Sequence, residues 1–480
     1  MEQIKKTLRD SATARWSALA IISITMFAGY FLTDVMSPLK PMLEEEFAWS
    51  STNYGLFTSS YGWFNVFFGM LIVGGIILDK MGMRFTGLLS SGIMVLGAGI
   101  KFWAISNPTL LTDTTFGIHT QVFWASIGFA IFAVGVEVSG ITVSKIIVKW
   151  FKGKEMALAM GMQMAIARMG TLLAMAAPVP LATFFADKHP QLVNGELVEK
   201  MGPSISAPIA FALTLLVIGF ISFFIYMAMD KKLDASIVDS GETDSDEPFK
   251  FSDIFSIVKN KGFWLIAVLC VLFYSSVFPF IKYAADLMVN KYGLSQNVAG
   301  LIPSALPLGT LFLTPIFGSI YDKKGKGATM MIIGAGLIIF VHTIFSLPIL
   351  NYWFVALILT MILGVALSLV PSAMWPSTPK IIPENQLGTA FSLIFWIQNW
   401  GLMGIPYLIG VVLDKSNPEV LAAKAQIANG VEGVTVPLYD YTNPMLIFAG
   451  LGVLALFVAF LLKAEDKKKG YGLQLPNIKS

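Results

Sequence analysis

Two opposite charges, Glu137 and Arg168, interrupt neighbouring apolar stretches on either side of the basic run Lys149-Trp-Phe-Lys-Gly-Lys154. Counted from Lys152, Glu137 lies 15 residues back and Arg168 lies 16 residues forward. Two helices rising about 1.5 Å per residue would carry both groups to one depth, about 20 Å into hydrocarbon. Charges that deep are costly and mark a functional site by default. A carboxylate facing a guanidinium suits a zwitterion, with Glu137 taking an ammonium and Arg168 gripping a carboxylate in bidentate fashion. The plainer reading is an ion pair that neutralises itself. The expectation is that the two groups pair when the site is empty and part around a ligand. Gly135, Ser139, Gly140, Gly161 and Gly170 leave room beside them.

Only membrane-spanning helices can place charges in this way, and the composition supplies them. Of the 480 residues, 55% are hydrophobic and 13% charged, and the mean hydropathy is +0.71. Soluble domains carry about 25% charged residues. Apolar stretches long enough to cross a bilayer fall at 17–37, 54–78, 85–105, 118–148, 156–180 and 207–229, then at 262–288, 297–320, 328–348, 352–378, 386–412 and 442–463. This predicts an all-α membrane protein of twelve transmembrane helices in two pseudo-symmetric six-helix bundles. The expected divisions are an N-terminus (1–16), a first bundle (17–229), a linker (230–261), a second bundle (262–463) and a tail (464–480). Lysine and arginine cluster at the N-terminus, at Lys80/Arg84, Lys149–Lys154, Lys323–Lys326 and Lys467–Lys469. All of these fall on one side, so both termini, the linker and the tail are cytoplasmic. The longer outer segments, 183–206 and 415–441, are polar and are expected to cap the outer face.

The same composition narrows the function. A net charge of +3 is too small and dispersed for nucleic acid, and one cysteine with three histidines argues against a metal site. No nucleophile–base constellation or phosphate-binding loop suggests an enzyme, so no cofactor or metal is expected. The expected partners are a small molecule and the lipid bilayer, with no obligatory protein partner. Tyr30, Tyr274, Trp375, Trp396 and Asn399, with Asn65 and Gln398, are of the right type to line a polar site, although each also suits helix packing. Lys145 is expected to snorkel towards the cytoplasm. Lys282 and Asp286, at i and i+4, read as an intrahelical pair or a gate. Asp34 ends the first span and faces an outer vestibule in this reading. His342 stands alone in the ninth span and is not expected to relay protons.

An internal repeat connects the halves. Gly75-Ile-Ile-Leu-Asp79-Lys80-Met-Gly82-Met-Arg84 follows the second span, and Gly318-Ser-Ile-Tyr-Asp322-Lys323-Lys-Gly325 follows the eighth. Gly75, Asp79, Lys80, Gly82, Arg84 and Asp322 therefore form a candidate gating motif, with a glycine for the tight turn and charges to hold neighbouring helices. Aligning Glu155 with Gln386 places Gly170 on Gly401, Arg168 on Asn399 and Glu137 near Ser368. The second half keeps the frame but lacks both charges, which favours a ligand role. On this motif and the six-plus-six division, the chain resembles the major facilitator superfamily. The resemblance implies a twelve-helix, two-bundle fold with a central site opened alternately to each side.

Further segments narrow the resemblance: Trp150-Phe-Lys-Gly-Lys-Glu155, Gln163-Met-Ala-Ile-Ala-Arg168-Met-Gly, Val277-Phe-Pro-Phe-Ile281, Ile382-Pro-Glu-Asn-Gln-Leu-Gly-Thr389 and Ile397-Gln-Asn. They are similar to the lysosomal dipeptide transporter family, major facilitator superfamily domain-containing protein 1, and its bacterial relatives. That similarity implies a dipeptide held at its termini by Glu137 and Arg168, and uniport without obligatory proton coupling. The absence of a dileucine-type sorting signal near the N-terminus favours a bacterial plasma membrane over a lysosome. The first helix also lacks the Glu-x-x-Glu-Arg signature of proton-coupled oligopeptide carriers. The alternatives are an anion antiporter using Arg168 with Lys145 or Lys282, a proton-coupled symporter, and a non-transporting membrane sensor. The buried Glu137 carboxylate disfavours the anion, and the lack of an output domain disfavours the sensor.

Overall fold

The computed structural model describes residues 7–152, 154–193, 196–240, 251–383, 386–428, 431 and 433–477. The acidic stretch 241–250 of the expected linker, the first six residues and the last three lie outside it. Among the described residues, 11 helices are long and apolar enough to cross a membrane. One of them, Met70–Ser106, is two spans joined at Gly82, whose φ of 79° and ψ of 170° turn the chain inside the motif. Only glycine takes that backbone without strain. Twelve crossings result.

The first span is Ala12–Asp34, opened by the Ser11 side chain accepting from the Ala14 N–H. The second is discontinuous: Ser51–Ser59, a 3-10 turn at Ser60–Gly62, Trp63–Phe67, and then 70–81. The sequence reading had expected one apolar run there. The third span is 83–106, and the fourth, fifth and sixth are Thr120–Phe151, Met156–Ala176 and Ser206–Ser240. The sixth continues well past the apolar stretch that predicts it. The second half follows as Lys261–Tyr292, Leu301–Lys324, Gly327–Ser346, Trp353–Ser377, Leu387–Ser416 and Thr442–Lys469, the seventh to twelfth spans. Left-handed Gly293 and Gly470 end the seventh and twelfth.

Helix packing reproduces the repeat. The first span packs on the fourth, fifth and sixth, and the seventh packs on the tenth, eleventh and twelfth. The third packs on the fourth and sixth as the ninth does on the tenth and twelfth. The sequence alignment of Gly170 with Gly401 has a physical basis. A Cβ on Gly170 would lie 2.3 Å from the Phe27 carbonyl oxygen in the first span, and one on Gly401 would lie 1.9 Å from Ser275 Oγ in the seventh. Each glycine permits the equivalent close crossing. The third and fourth spans meet through Gly97 and Gly128 in the same way, each within 2.7 Å of backbone atoms across the seam.

Polar side chains fasten the cytoplasmic end of the first bundle. Asp230 is buried and accepts from Lys149, Trp150 Nε1 and Tyr226, at 3.0, 3.1 and 3.1 Å. Arg84 lies 3.6 Å from Asp230 and 2.8 Å from Asp234. The motif thus ties the third, fourth and sixth spans together. Asp230→Ala leaves buried donors and cations unmatched, a loss of about 3–5 kcal/mol. The purified variant should melt well below wild type in a thermal unfolding assay, and an unchanged midpoint would refute the role.

In the second half, Pro279 lies inside the seventh span, where it lacks the N–H a helix would use. Near it His342 Nε2 lies 3.0 Å from the Ser276 carbonyl oxygen, packed among Phe280, Phe345 and Phe448. His342 is therefore enclosed in the second bundle, away from the central cavity. On the outer face, 183–206 contributes the hairpin Asp187–Val193/Glu196–Gly202, and 415–441 contributes the helix Pro418–Ala428.

Candidate functional site

A cavity of about 330 Å³ lies between the halves. Glu137 enters it from the fourth span and Arg168 from the fifth, so the depth argument brings both charges into one space. They do not pair there, contrary to the expectation for an empty site. Glu137 accepts a hydrogen bond from the Tyr61 hydroxyl at 2.7 Å. The Arg168 guanidinium lies between the rings of Tyr30 and Phe278, 5.9 and 5.8 Å from their centroids. Among the described residues, no carboxylate lies within ion-pair distance of Arg168. Aromatic faces hold the guanidinium by cation–π attraction while its five donors stay available.

Tyr30, Tyr274 and Trp375 line the cavity, as their types suggested. Trp375 Nε1 donates to the Tyr274 hydroxyl at 3.1 Å, and Tyr274 stacks on Phe278 at 5.2 Å. Trp396 and Asn399 do not line it. In the eleventh span Phe395, Gln398 and Leu402 face the cavity, whereas Trp396, Asn399 and Met403 sit one residue further round the helix. That second face packs on the second span: Trp396 Nε1 donates to the Val66 carbonyl at 3.0 Å, and the Asn399 and Met403 backbones crowd Gly62. Asn65 is likewise buried, donating to the Tyr61 carbonyl at 3.3 Å. Sequence reasoning missed Tyr61, because a tyrosine in an apolar run carries no signal until the helix around it breaks.

The outer end of the cavity is sealed by ions. Lys282 pairs with Asp34 at 2.5 Å and also donates to the Thr33 carbonyl at 2.6 Å. Asp286 pairs with Lys40 at 2.6 Å and accepts from the Tyr441 hydroxyl. Lys282 and Asp286 are therefore not an intrahelical pair: each crosses to the first half. Lys40, fully buried, also bonds Glu44 at 2.7 Å, and Lys424 closes on Glu44 from the outer helix at 2.5 Å. Asp414 accepts from the backbone N–H groups of Ser51 and Thr52.

At the cytoplasmic end the ion pairs and hydrogen bonds among the described residues stay within one half. Asp79 pairs with Lys145 at 3.1 Å, so Lys145 does not simply snorkel. Asp322 accepts from Asn477, and Arg15 pairs with Glu155. The half-to-half hydrogen bonds and ion pairs among the described residues lie at the outer ends or mid-depth. The cavity extends down past Ser144 and Met164 towards the cytoplasm. With the orientation that the charge distribution predicts, this is an inward-facing arrangement.

Outside the spans, burial alone would raise the Glu44 carboxyl, but Lys40 and then Lys424 outweigh it and hold it below the usual carboxylate range. Despite burial, the partner carboxylates hold Lys40 and Lys424 above the usual ammonium range. A lowered carboxylate stabilises above its unfolded value and is lost as pH falls through the folded one. A raised ammonium stabilises below its unfolded value and is lost as pH rises through the folded one. The seal should therefore be indifferent to pH between about 5 and 8, the range in which none of these groups titrates. Outer labelling of a cysteine at Thr58 that changed severalfold across that range would contradict this.

The comparisons with known proteins agree with this architecture. Residues 21–406 and 285–475 match the Major Facilitator Superfamily. The chain belongs to that superfamily. It is 26% identical to the lysosomal dipeptide transporter MFSD1 of Homo sapiens over 83% of this chain and 80% of that protein. It is 30% identical to MFSD1 of Gallus gallus over 62% and 64% of the two chains. Among solved structures, an inward-facing, occupied bacterial homologue of the human lysosomal transporter Spinster superposes with a TM-score of 0.65 at 15% identity, covering 95% of this chain and 98% of that one. A D-xylose–proton symporter gives 0.64 at 15% identity, covering 92% and 97%. These distant likenesses show the fold alone. The protein is thus a multi-pass membrane transporter of the major facilitator superfamily that moves a small molecule and is not an enzyme.

Proposed function

We propose that this carrier moves dipeptides by alternating access, as a uniporter, with the ammonium end on Glu137 and the carboxylate end on Arg168. One observation carries the reading. A single cavity presents a guanidinium without a carboxylate partner among the described residues and a carboxylate met by a neutral phenol. A zwitterion satisfies both groups, whereas a simple anion would face Glu137 unscreened. The cavity falls within the usual range for small-molecule sites, about 300–1,000 Å³. Tyr274, Phe278 and Trp375 offer broad faces that tolerate varied side chains. The names of the MFSD1 relatives support the substrate class.

Lys282, the second cation an anion exchanger would need, is occupied by Asp34. Asp34 is in turn held by that lysine, and in this reading Glu137 serves the ligand ammonium rather than a transported proton. Gating, in this reading, breaks the outer seal while Asp79, Arg84 and their motif keep the first bundle rigid. The test is counterflow of a labelled dipeptide in proteoliposomes, against free amino acids, oxalate and nitrate, with and without a pH gradient. Dipeptide exchange independent of the gradient is expected. Anion exchange without dipeptide flux would overturn the substrate, and accumulation driven by the gradient would overturn uniport.

A further inference from the structure

The second span breaks where no proline breaks it. From Ser51 to Ser106 the chain contains none, yet the helix tightens to a 3-10 turn at Ser60–Gly62 and stops at Phe67. It restarts after Gly69, which is left-handed at φ 57°. Inside a membrane, irregular backbone persists only where protein or a water-filled cavity satisfies it. Here both do. The Val66 carbonyl, which a continuous helix would pair with the Met70 N–H, instead accepts from Trp396 Nε1 of the eleventh span. Gly62 lies so close to that span that a Cβ would sit 2.5 Å from the Met403 Cβ. The broken segment is thus clamped to the other half of the molecule. Its remaining link to the cavity charges is the Tyr61 hydroxyl on Glu137.

The geometry points to Tyr61 as a positioning residue that reports occupancy of Glu137 to the break in the second span, and through it to the eleventh. This rests on the reading above, in which a ligand ammonium binds Glu137. In the empty carrier the phenol O–H occupies an acceptor site that the ammonium needs. Binding displaces it, Tyr61 is released, and the 60–69 segment loses its hydrogen-bond tether to the fourth span, keeping only apolar packing there, such as the Tyr61 ring on Phe129, while its clamp on the eleventh remains. The ligand class that operates the device is one with a cationic N–H donor. A carboxylate alone would leave Tyr61 in place.

Two measurements test this. In counterflow, Tyr61→Phe removes the competing donor. Hydrogen bonds to charged groups are strong enough that the half-saturating dipeptide concentration should fall about tenfold, while the maximal exchange rate also falls severalfold. A merely structural tyrosine would raise the former or leave both unchanged, and either result overturns the proposal. The second measurement needs no ligand. Val66 is 3% exposed. As Val66→Cys in a Cys270→Ala background, it should react slowly with a maleimide in purified protein. Adding Tyr61→Phe or Glu137→Leu should speed labelling severalfold and equally, because each cuts the same bond, and combining them should add nothing further. Equal, slow labelling in all four proteins overturns the proposal whatever the substrate proves to be. If the empty protein responds this way but no dipeptide binds, the dipeptide reading fails and the tether stands.

Discussion

Arg168→Gln should cut dipeptide counterflow to a small fraction of wild type at a dipeptide concentration that only just saturates the wild-type carrier. The guanidinium is positioned by Tyr30 and Phe278 rather than by a carboxylate, so its donors are free for a ligand carboxylate. Removing one partner of a buried, hydrogen-bonded charge pair costs about 2–5 kcal/mol, which corresponds to about 30-fold or more in affinity. Glutamine keeps the length and polarity but not the charge or the fork. Glu137→Gln should weaken the other end comparably, and the double variant should be little worse than either if one ligand bridges both. Because Glu137 and Arg168 do not pair in the empty cavity, neither substitution strands the other as a broken ion pair. Both variants should therefore express and melt as wild type does. Undiminished flux in either would remove the two-ended clamp and leave the superfamily assignment intact.

Lys40→Met should open the outer face. Lys40 is wholly buried between Asp286 and Glu44, with Tyr439 beneath it at 4.8 Å. Methionine fills the volume but leaves two carboxylates facing each other without their central cation. Such a loss costs about 3–5 kcal/mol. The cost falls on the closed state alone, because water reaches Asp286 and Glu44 once the halves part. The equilibrium should shift outward by a factor of about 150 to 5,000. A cysteine at Thr58, which is 3% exposed and lines the cavity, should then react with a membrane-impermeant maleimide added outside, at a rate raised by about that factor. Lys424→Met removes only the peripheral partner of Glu44 and should give a much smaller increase. Equal labelling of Lys40→Met and wild type would show that packing, not charge, closes this face.

The cytoplasmic motif and the outer seal differ in how much of each is legible in the sequence. The motif from Gly75 to Arg84 was legible because it occurs twice, and the structure turns the chain at Gly82 within it. Lys40, Glu44 and Asp286 were not legible as a unit, because 246 residues separate Lys40 from Asp286. A loop lysine beside three glutamates looks like an ordinary solvated segment until a second bundle buries it. Trp396 and Asn399 illustrate the limit of residue type. A shift of one position along a helix turns a side chain by about 100°, which here separates the cavity face from the face packed on the second span.

Hydropathy and the repeated motif were sufficient by themselves to predict the twelve crossings and the superfamily fold, and with the charge asymmetry they set the expected orientation and the expected depth of Glu137 and Arg168. Those properties are local: each depends on the cost of placing a short stretch in lipid or water, and that cost is additive along the chain. What Glu137 and Arg168 touch was decided only in three dimensions. Whether they met each other depended on a helix break that brings Tyr61 to the carboxylate, and on two rings that hold the guanidinium. Which way the cavity opens was also a tertiary matter. The same helices can close either end, and the Lys40–Asp286 and Lys282–Asp34 pairs, formed between residues far apart in the chain, select the outer one.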